Sequence, residues 1–272
     1  MDPWVCSFFY YLFIFGLCHF SNTLLNNNYV RSKYYTKILH ELVGTIQTCA
    51  PSFDVFFVLT HYGVFGFFLE ITFLELLNSY ISKEAFADPS ALLIECYKNK
   101  KWFCILLVTQ LVGGLISFQL ARFWWSFNIH PTYLDMLMNI NCHSHLNVSI
   151  VNGMLIESIG VIGIYYITEL INKKIKNPMI VNIFSAISVA SICVSGLNLT
   201  GMYANPIIAW SCTFNCQGLS HFGHFFVYWL GPILGNVIFN KILKNNTKQN
   251  YKNQASTTTL KKKVKKKLKN SW

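Results

Sequence analysis

The chain has 272 residues and a formal net charge of +11, yet only 12% of its residues are charged, while 53% are hydrophobic and 16% aromatic. Soluble domains carry about 25% charged residues, so this composition excludes a water-soluble enzyme. The few charges are also segregated, sparse through most of the chain and dense at its C-terminal end, as a bilayer demands of spans and their edges.

Apolar windows fall at 4–25, 38–58, 61–81, 102–124, 152–171, 179–199 and 222–243, each near the length of about 20 residues that crosses a bilayer. Apolar residues run around the whole circumference of each, unlike the one-sided stripe of a soluble helix. The expected organisation is an N-terminal hydrophobic segment and linker (1–36), an all-helical membrane domain (37–245) and a basic tail (246–272). The first window reads as a signal peptide, a signal anchor or an additional span. No lysine or arginine precedes it, Arg31, Lys33 and Lys37 follow it, and it has no small-x-small cleavage pattern. An uncleaved helix with its N-terminus outside is therefore expected.

Lysine and arginine mark cytosolic loops. Lys83, Lys98, Lys100 and Lys101 lie between the third and fourth windows, Lys173, Lys174 and Lys176 between the fifth and sixth, and the tail is basic, whereas loops 126–151 and 200–221 have neither residue. Loops 82–101 and 172–178 and the C-terminus are thus expected in the cytosol. Arg122 stands apart, at the outer end of its window beside Trp124 and Trp125, and reads as an interfacial anchor. Asn147-Val148-Ser149 is a glycosylation pattern on a non-cytosolic loop. Asn198-Leu199-Thr200 lies too close to the bilayer to accept a glycan, and Asn245-Asn246-Thr247 is cytosolic. Of the nine cysteines, Cys104, Cys193 and Cys212 read as small buried apolar residues. Cys49, Cys142 and Cys216 lie nearer span ends, where pairing stays open.

The windows repeat. Glu41 and Glu157 each lie within an apolar window, with Gly44 and Gln47 after the first and Gly160 and Gly163 after the second. Asp88-Pro89 follows Glu41 at nearly the interval at which Asn205-Pro206 follows Glu157, and each is succeeded by a short apolar stretch and another span. That span carries Gln110-Leu111-Val112-Gly113 in the first half and Gly231-Pro232-Ile233-Leu234-Gly235 in the second. Three spans per half reverse the second copy, which makes an inverted repeat. Proline in the first helical turn loses no hydrogen bond, and Asp or Asn before it is a preferred cap. Asp88-Pro89-Ser90-Ala91 and Asn205-Pro206-Ile207-Ile208 therefore read as starts of half-helices too short to cross. Entering from opposite sides, they would aim two positive dipole ends at one point near the midplane. For Glu41 and Glu157 the options are a proton or ion relay and an internal acceptor for loop backbone. Their symmetric placement favours the acceptor.

These features resemble the aquaporin superfamily over residues 38–243. The resemblance is carried by Glu41-Leu42-Val43-Gly44-Thr45-Ile46-Gln47, Gln110-Leu111-Val112-Gly113, Thr200-Gly201-Met202-Tyr203-Ala204-Asn205-Pro206 and Tyr228-Trp229-Leu230-Gly231-Pro232-Ile233-Leu234-Gly235. The departures Asp88-Pro89-Ser90 and Asn205-Pro206-Ile207 from a pair of Asn-Pro-Ala motifs, with the extra N-terminal segment, match the unorthodox superaquaporin branch, the aquaporin eleven and twelve type. Cys216 falls where that branch carries a characteristic cysteine. The resemblance implies an all-α membrane protein, an inverted repeat of six spanning helices plus two re-entrant half-helices, with an extra N-terminal hydrophobic helix. It implies a passive channel for water, glycerol or hydrogen peroxide, assembled as a homotetramer with one pore per subunit. The membrane would be the endoplasmic reticulum, with the plasma membrane as the alternative. The competing reading is a poorly conducting or non-conducting scaffold that keeps the fold.

The resemblance also transfers a constriction onto Phe68, Cys193, Met202 and Ile208, with Ile208 in place of the family's filter arginine. An apolar constriction tolerates small neutral solutes and desolvates ions poorly. Asn205 can donate an amide N–H to passing water, whereas an ionised Asp88 only accepts. Asp88 therefore weakens cation exclusion, is protonated, or is consumed in capping.

Other sites are weaker. Cys142-His143-Ser144-His145 offers zinc-type ligands, but as one short cluster it reads as solvated, and no metal or cofactor is expected. His221 and His224 are expected at the interface. No nucleotide-binding loop, nucleophile elbow or metalloprotease helix occurs, so no enzyme is expected. Lys261-Lys262-Lys263-Val264-Lys265-Lys266-Lys267 suits anionic membrane lipids at about 1 kcal/mol per basic residue near the surface, and not nucleic acid.

Overall fold

A computed structural model describes residues 1–26, 32–81, 85–96, 98–138 and 142–243. The lysine-rich tail and Asn245-Asn246-Thr247 lie outside the described residues. Residues 1–236 form one compact unit; what is described of the remainder, residues 237–243, is helical.

The first window is a helix, α1 (Pro3–Asn26). Cys6, Tyr10, Ile14 and Cys18 recur at helical spacing along its buried face, while Phe8, Phe9, Leu12 and Phe20 are exposed on the others. Three of its polar side chains pair with residues later in the chain. The Tyr10 hydroxyl donates to the Ala50 carbonyl at 2.6 Å, Tyr11 donates to the Glu70 carboxylate, and His40 Nδ1 pairs with Asn22 Oδ1 at 3.0 Å. Such bonds matter in a membrane protein, because lipid offers no replacement.

The next two windows divide differently from their apolar runs. Helix α2 (Lys33–Cys49) stops before Pro51, a 3₁₀ turn covers Pro51–Phe53, and α3 (Val55–Ile81) begins at once. Pro51 has no N–H to continue the ladder, so the second span ends at Cys49 and not near residue 58. Inside α3, Gly63 adopts φ 62°, ψ −161°, breaking the helix where a Cβ would be strained. With 17 residues, α2 is shorter than the six helices long and apolar enough to cross a membrane among the described residues, namely α1, α3, α5, α7, α8 and α10.

After α4 (Pro89–Cys96) comes α5 (Lys100–Trp125), capped by Asn99 Oδ1 on the Trp102 N–H. The loop beyond it contains α6 (Pro131–Met138), whose Tyr133 hydroxyl donates to Asp54 Oδ1 at 2.8 Å. The second half comprises α7 (Ile150–Lys174), α8 (Pro178–Thr200), α9 (Pro206–Thr213) and α10 (His221–Leu243), the last with a π-helical turn at Phe226–Leu230.

The repeat is visible in the packing. Helix α2 lies on α5 as α7 lies on α10, and α3 against α8 joins the halves. A Cβ on Gly113 would meet Thr45 Cβ at 2.9 Å, and one on Gly235 would meet the Ser158 carbonyl at 2.5 Å. Small residues at these positions let the backbones approach. The two loops free of lysine and arginine are joined by a Cys142–Cys216 disulfide and a parallel bridge, with Ser144 N donating to Gln217 O at 2.8 Å and Gln217 N to Cys142 O at 2.9 Å. Cys49 is free and buried, and Cys104 is exposed, contrary to its expected burial.

Candidate functional site

Each half-helix begins at its Asx-Pro motif. Asn205 Oδ1 accepts the Ile207 N–H at 3.0 Å. Asp88 Oδ1 accepts the Ser90 N–H at 2.7 Å, and Oδ2 accepts the Ser90 hydroxyl at 2.8 Å and the Tyr165 hydroxyl at 3.5 Å. Ser90 in turn accepts from Asn236 Nδ2 at 3.3 Å. Pro206 and Ile207 are buried, as are Pro89 and Ser90.

The loops leading into the half-helices are held by the two intramembrane glutamates. Glu41 accepts Phe86 N (3.0 Å), Ala87 N (2.9 Å) and Gln110 Nε2 (2.6 Å). Glu157 accepts Thr200 Oγ1 (2.6 Å), Tyr203 N (3.2 Å) and Ala204 N (2.8 Å). Both carboxylates thus take two consecutive backbone N–H groups and one side-chain donor. Ala87 (φ 48°) and Ala204 (φ 53°) are left-handed, a conformation rarely adopted outside glycine and asparagine. At each motif the left-handed residue is the last before the cap, and its N–H points back to the glutamate.

The N-termini meet through Asn205, whose Nδ2 donates to the Ala87 carbonyl at 2.8 Å. A primary amide has two N–H bonds, so one remains for a molecule in the adjoining space. That space is a cavity of about 1320 Å³. It is lined by His143, His145 and Asn147 of the loop before α7, by Cys193, Met202 and Ile208, by Asn205 and Asp88, and by Glu75, Asn78 and Tyr165.

Of the four constriction candidates, Cys193, Met202 and Ile208 line this cavity together. Phe68 is not among its lining residues; Phe67 and Ile71 of the same helix are. Met202 is buried, and its thioether lies where a Cβ on Gly160 or Gly196 would be, so much of its side chain fills the wall. Ile208 adds no charge. The Arg122 guanidinium lies over the Phe118 ring at 5.8 Å, and both residues line the cavity.

In the loop before α7, Asn147 Nδ2, the atom a glycan would occupy, donates to the Asn198 carbonyl at 3.1 Å. His145 Nδ1 pairs with the Tyr203 hydroxyl at 2.7 Å, and loss of water around the ring lowers the His145 pKa below the ordinary histidine value. Cys142 is committed to Cys216, so the Cys-His-Ser-His cluster has no thiolate to offer a metal. His224 is not interfacial. It is 3% exposed, with Nε2 at 3.1 Å from Thr213 Oγ1 and 3.4 Å from the Ala209 carbonyl, against the end of α9.

Glu75, Asn78 and Tyr165 are not singled out by motif or repeat. The available signal for Glu75 was a carboxylate inside an apolar window, the same signal that marks Glu41 and Glu157.

The sequence pattern of the major intrinsic protein family matches residues 90–241. The chain is 30% identical to Aquaporin-11 of Milnesium tardigradum over 253 residues, covering 88% of this chain and 86% of that one. It is 28% identical to Aquaporin-11 of Rattus norvegicus over 131 residues, 48% of this chain and 47% of that one. It is 29% identical to Putative aquaporin-12B of Homo sapiens over 133 residues, 48% and 44% of the two chains. The aquaglyceroporin from Plasmodium falciparum has a similar fold, with a TM-score of 0.52 at 15% identity over 76% of this chain and 94% of that one.

Proposed function

The chain belongs to the major intrinsic protein family, matching its aquaporin eleven and twelve type, and on that premise we propose that it is a passive channel for water and small neutral solutes such as glycerol and hydrogen peroxide. The carrying observation is the cavity wall at the paired half-helices, where Asn205 has spent one N–H on Ala87 and keeps the other. A donor there orients each passing water, and the dipole ends of α4 and α9 raise the barrier to cations.

Selectivity rests on Cys193, Met202 and Ile208. With no cation at Ile208, the outer passage admits small uncharged solutes and supports permeation by glycerol or peroxide over strict water transport. Asp88 cannot donate when ionised, and its carboxylate oxygens are engaged by Ser90 and Tyr165, which supports a capping role.

The proposed assembly is a homotetramer in an intracellular membrane, the endoplasmic reticulum, with the C-terminus cytosolic. The Cys142–Cys216 disulfide supports a lumenal position for its loops, since disulfides persist on the oxidising side of a membrane.

Stopped-flow light scattering on proteoliposomes, with an entrapped peroxide dye, tests the channel reading. Water, glycerol or peroxide permeability above that of empty vesicles is expected. Empty-vesicle rates for all three would leave the non-conducting scaffold as the function.

A further inference from the structure

Five acids of the membrane domain are held by the protein's own donors. Glu41, Glu157, Asp88, Asp54 and Glu70 each accept at least one hydrogen bond from the protein. Glu75 accepts none and forms no ion pair among the described residues. It lines the cavity instead.

An ionisable side chain within a span is expensive unless its polar atoms are satisfied. Glu75 can therefore be satisfied only by what occupies the pathway. One turn along α3, Asn78 also lines the cavity. Its Oδ1 is taken by Gln47 Nε2 at 2.9 Å, which turns its NH₂ toward other acceptors. Residues three apart on a helix are neighbours, with Cβ atoms about 5–6 Å apart. The wall thus presents a carboxyl group beside an amide donor, while Ile71, Ile164 and Val189 make other parts of the lining apolar.

We propose that Glu75 and Asn78 form a binding station for small polyols in the part of the pathway toward the lysine-bearing loops, an inference that rests on the channel reading. A hydroxyl both donates and accepts. One hydroxyl of a polyol donates to Glu75, and its neighbour accepts from Asn78. The carbon chain meets the apolar lining. Water can satisfy the same groups, but it brings no carbon chain for the isoleucines and valine. Glu75 is then a specificity-determining residue, setting the ratio of polyol to water permeation and not the opening of the pore.

The test uses the full chain in proteoliposomes, with glycerol and water permeabilities measured for wild type, Glu75→Leu, Asn78→Leu and Glu75→Gln. Loss of one hydrogen bond to a charged group corresponds to about a tenfold fall in the ratio of glycerol to water permeability for Glu75→Leu. Glu75→Gln keeps a neutral acceptor and should lower the ratio by only about two- to fivefold. Size-exclusion chromatography checks folding, and Asn78→Leu carries the test if Glu75→Leu misfolds. An unchanged glycerol-to-water ratio in the folded leucine variants overturns the station and leaves the channel standing. A wild type that passes water but no glycerol also overturns the station alone. A wild type that passes no solute overturns the channel reading and the station with it.

Discussion

Glu157→Gln perturbs a single acceptor while keeping the side chain's shape. The native carboxylate takes Thr200 Oγ1 and Tyr203 N on Oε1 and Ala204 N on Oε2, and the residue is wholly buried. A glutamine has one oxygen and one NH₂. Placing its oxygen toward Thr200 and Tyr203 turns the NH₂ onto the Ala204 N–H, donor against donor. An unsatisfied buried donor costs about 1–3 kcal/mol, and weakening the other two bonds from charged to neutral adds about 0.5–1 kcal/mol each. The sum, about 2–5 kcal/mol, falls on the left-handed Ala204 (φ 53°), whose N–H is held by this carboxylate. Thermal unfolding in detergent, followed by tryptophan fluorescence, should show a Tm roughly 5–15 °C lower. Glu41→Gln should fall by a similar amount, since Glu41 also holds three donors, Phe86 N, Ala87 N and Gln110 Nε2. If both variants melt within about 2 °C of wild type, these carboxylates are not what holds the half-helix loops.

Asp88→Asn preserves the cap on Ser90 but removes negative charge from the cavity wall. With the carboxylate spent in its cap on Ser90 and its contact with Tyr165, proton and cation leak into dye-loaded vesicles should stay at the wild-type level, and a clear fall in leak would mean that Asp88 weakens cation exclusion. A small methanethiosulfonate reagent should block flux through Cys193, which lines the cavity as a free thiol. Cys193→Ser should remove most of that block, with Cys212 as the other free cavity thiol; undiminished block would place the pathway elsewhere. Tyr11→Phe strands the buried Glu70, whose other oxygen already lacks a partner. It should lower stability by about 1–3 kcal/mol, read as a lower Tm, and an unchanged Tm would show that α1 docks through its apolar face alone.

The half-helix starts were legible because their chemistry is local. Proline at the first turn and an Asx side chain before it define a helix N-terminus wherever they occur, and α4 and α9 begin at Pro89 and Pro206. The symmetric glutamates were legible for a related reason, as a buried carboxylate needs donors and each lies a fixed stretch of chain before a loop. The boundary between the second and third spans was not. The few polar residues around Pro51, such as Ser52 and Asp54, are outweighed by apolar neighbours, so hydropathy runs on where the backbone breaks. The inner wall of the cavity was also hidden. Glu75 and Glu70 lie in one apolar window, but one opens on the cavity and the other accepts from Tyr11 of α1, and hydropathy does not say which face of a lipid-embedded helix meets a neighbour.

The sequence by itself determined the membrane class, the inverted repeat and the paired half-helices, because composition, spacing and capping act along the chain. Only the tertiary structure decided the relations between distant positions. It paired Cys142 with Cys216 and left Cys49 free. It joined Asn205 to Ala87 across the repeat, gave the Asp88 carboxylate to Ser90 and Tyr165, and turned Glu75 to the cavity without a partner among the described residues. Each of these depends on how the helices are rotated against one another, and that rotation is set by side-chain packing, which an apolar sequence in lipid does not encode as a visible stripe.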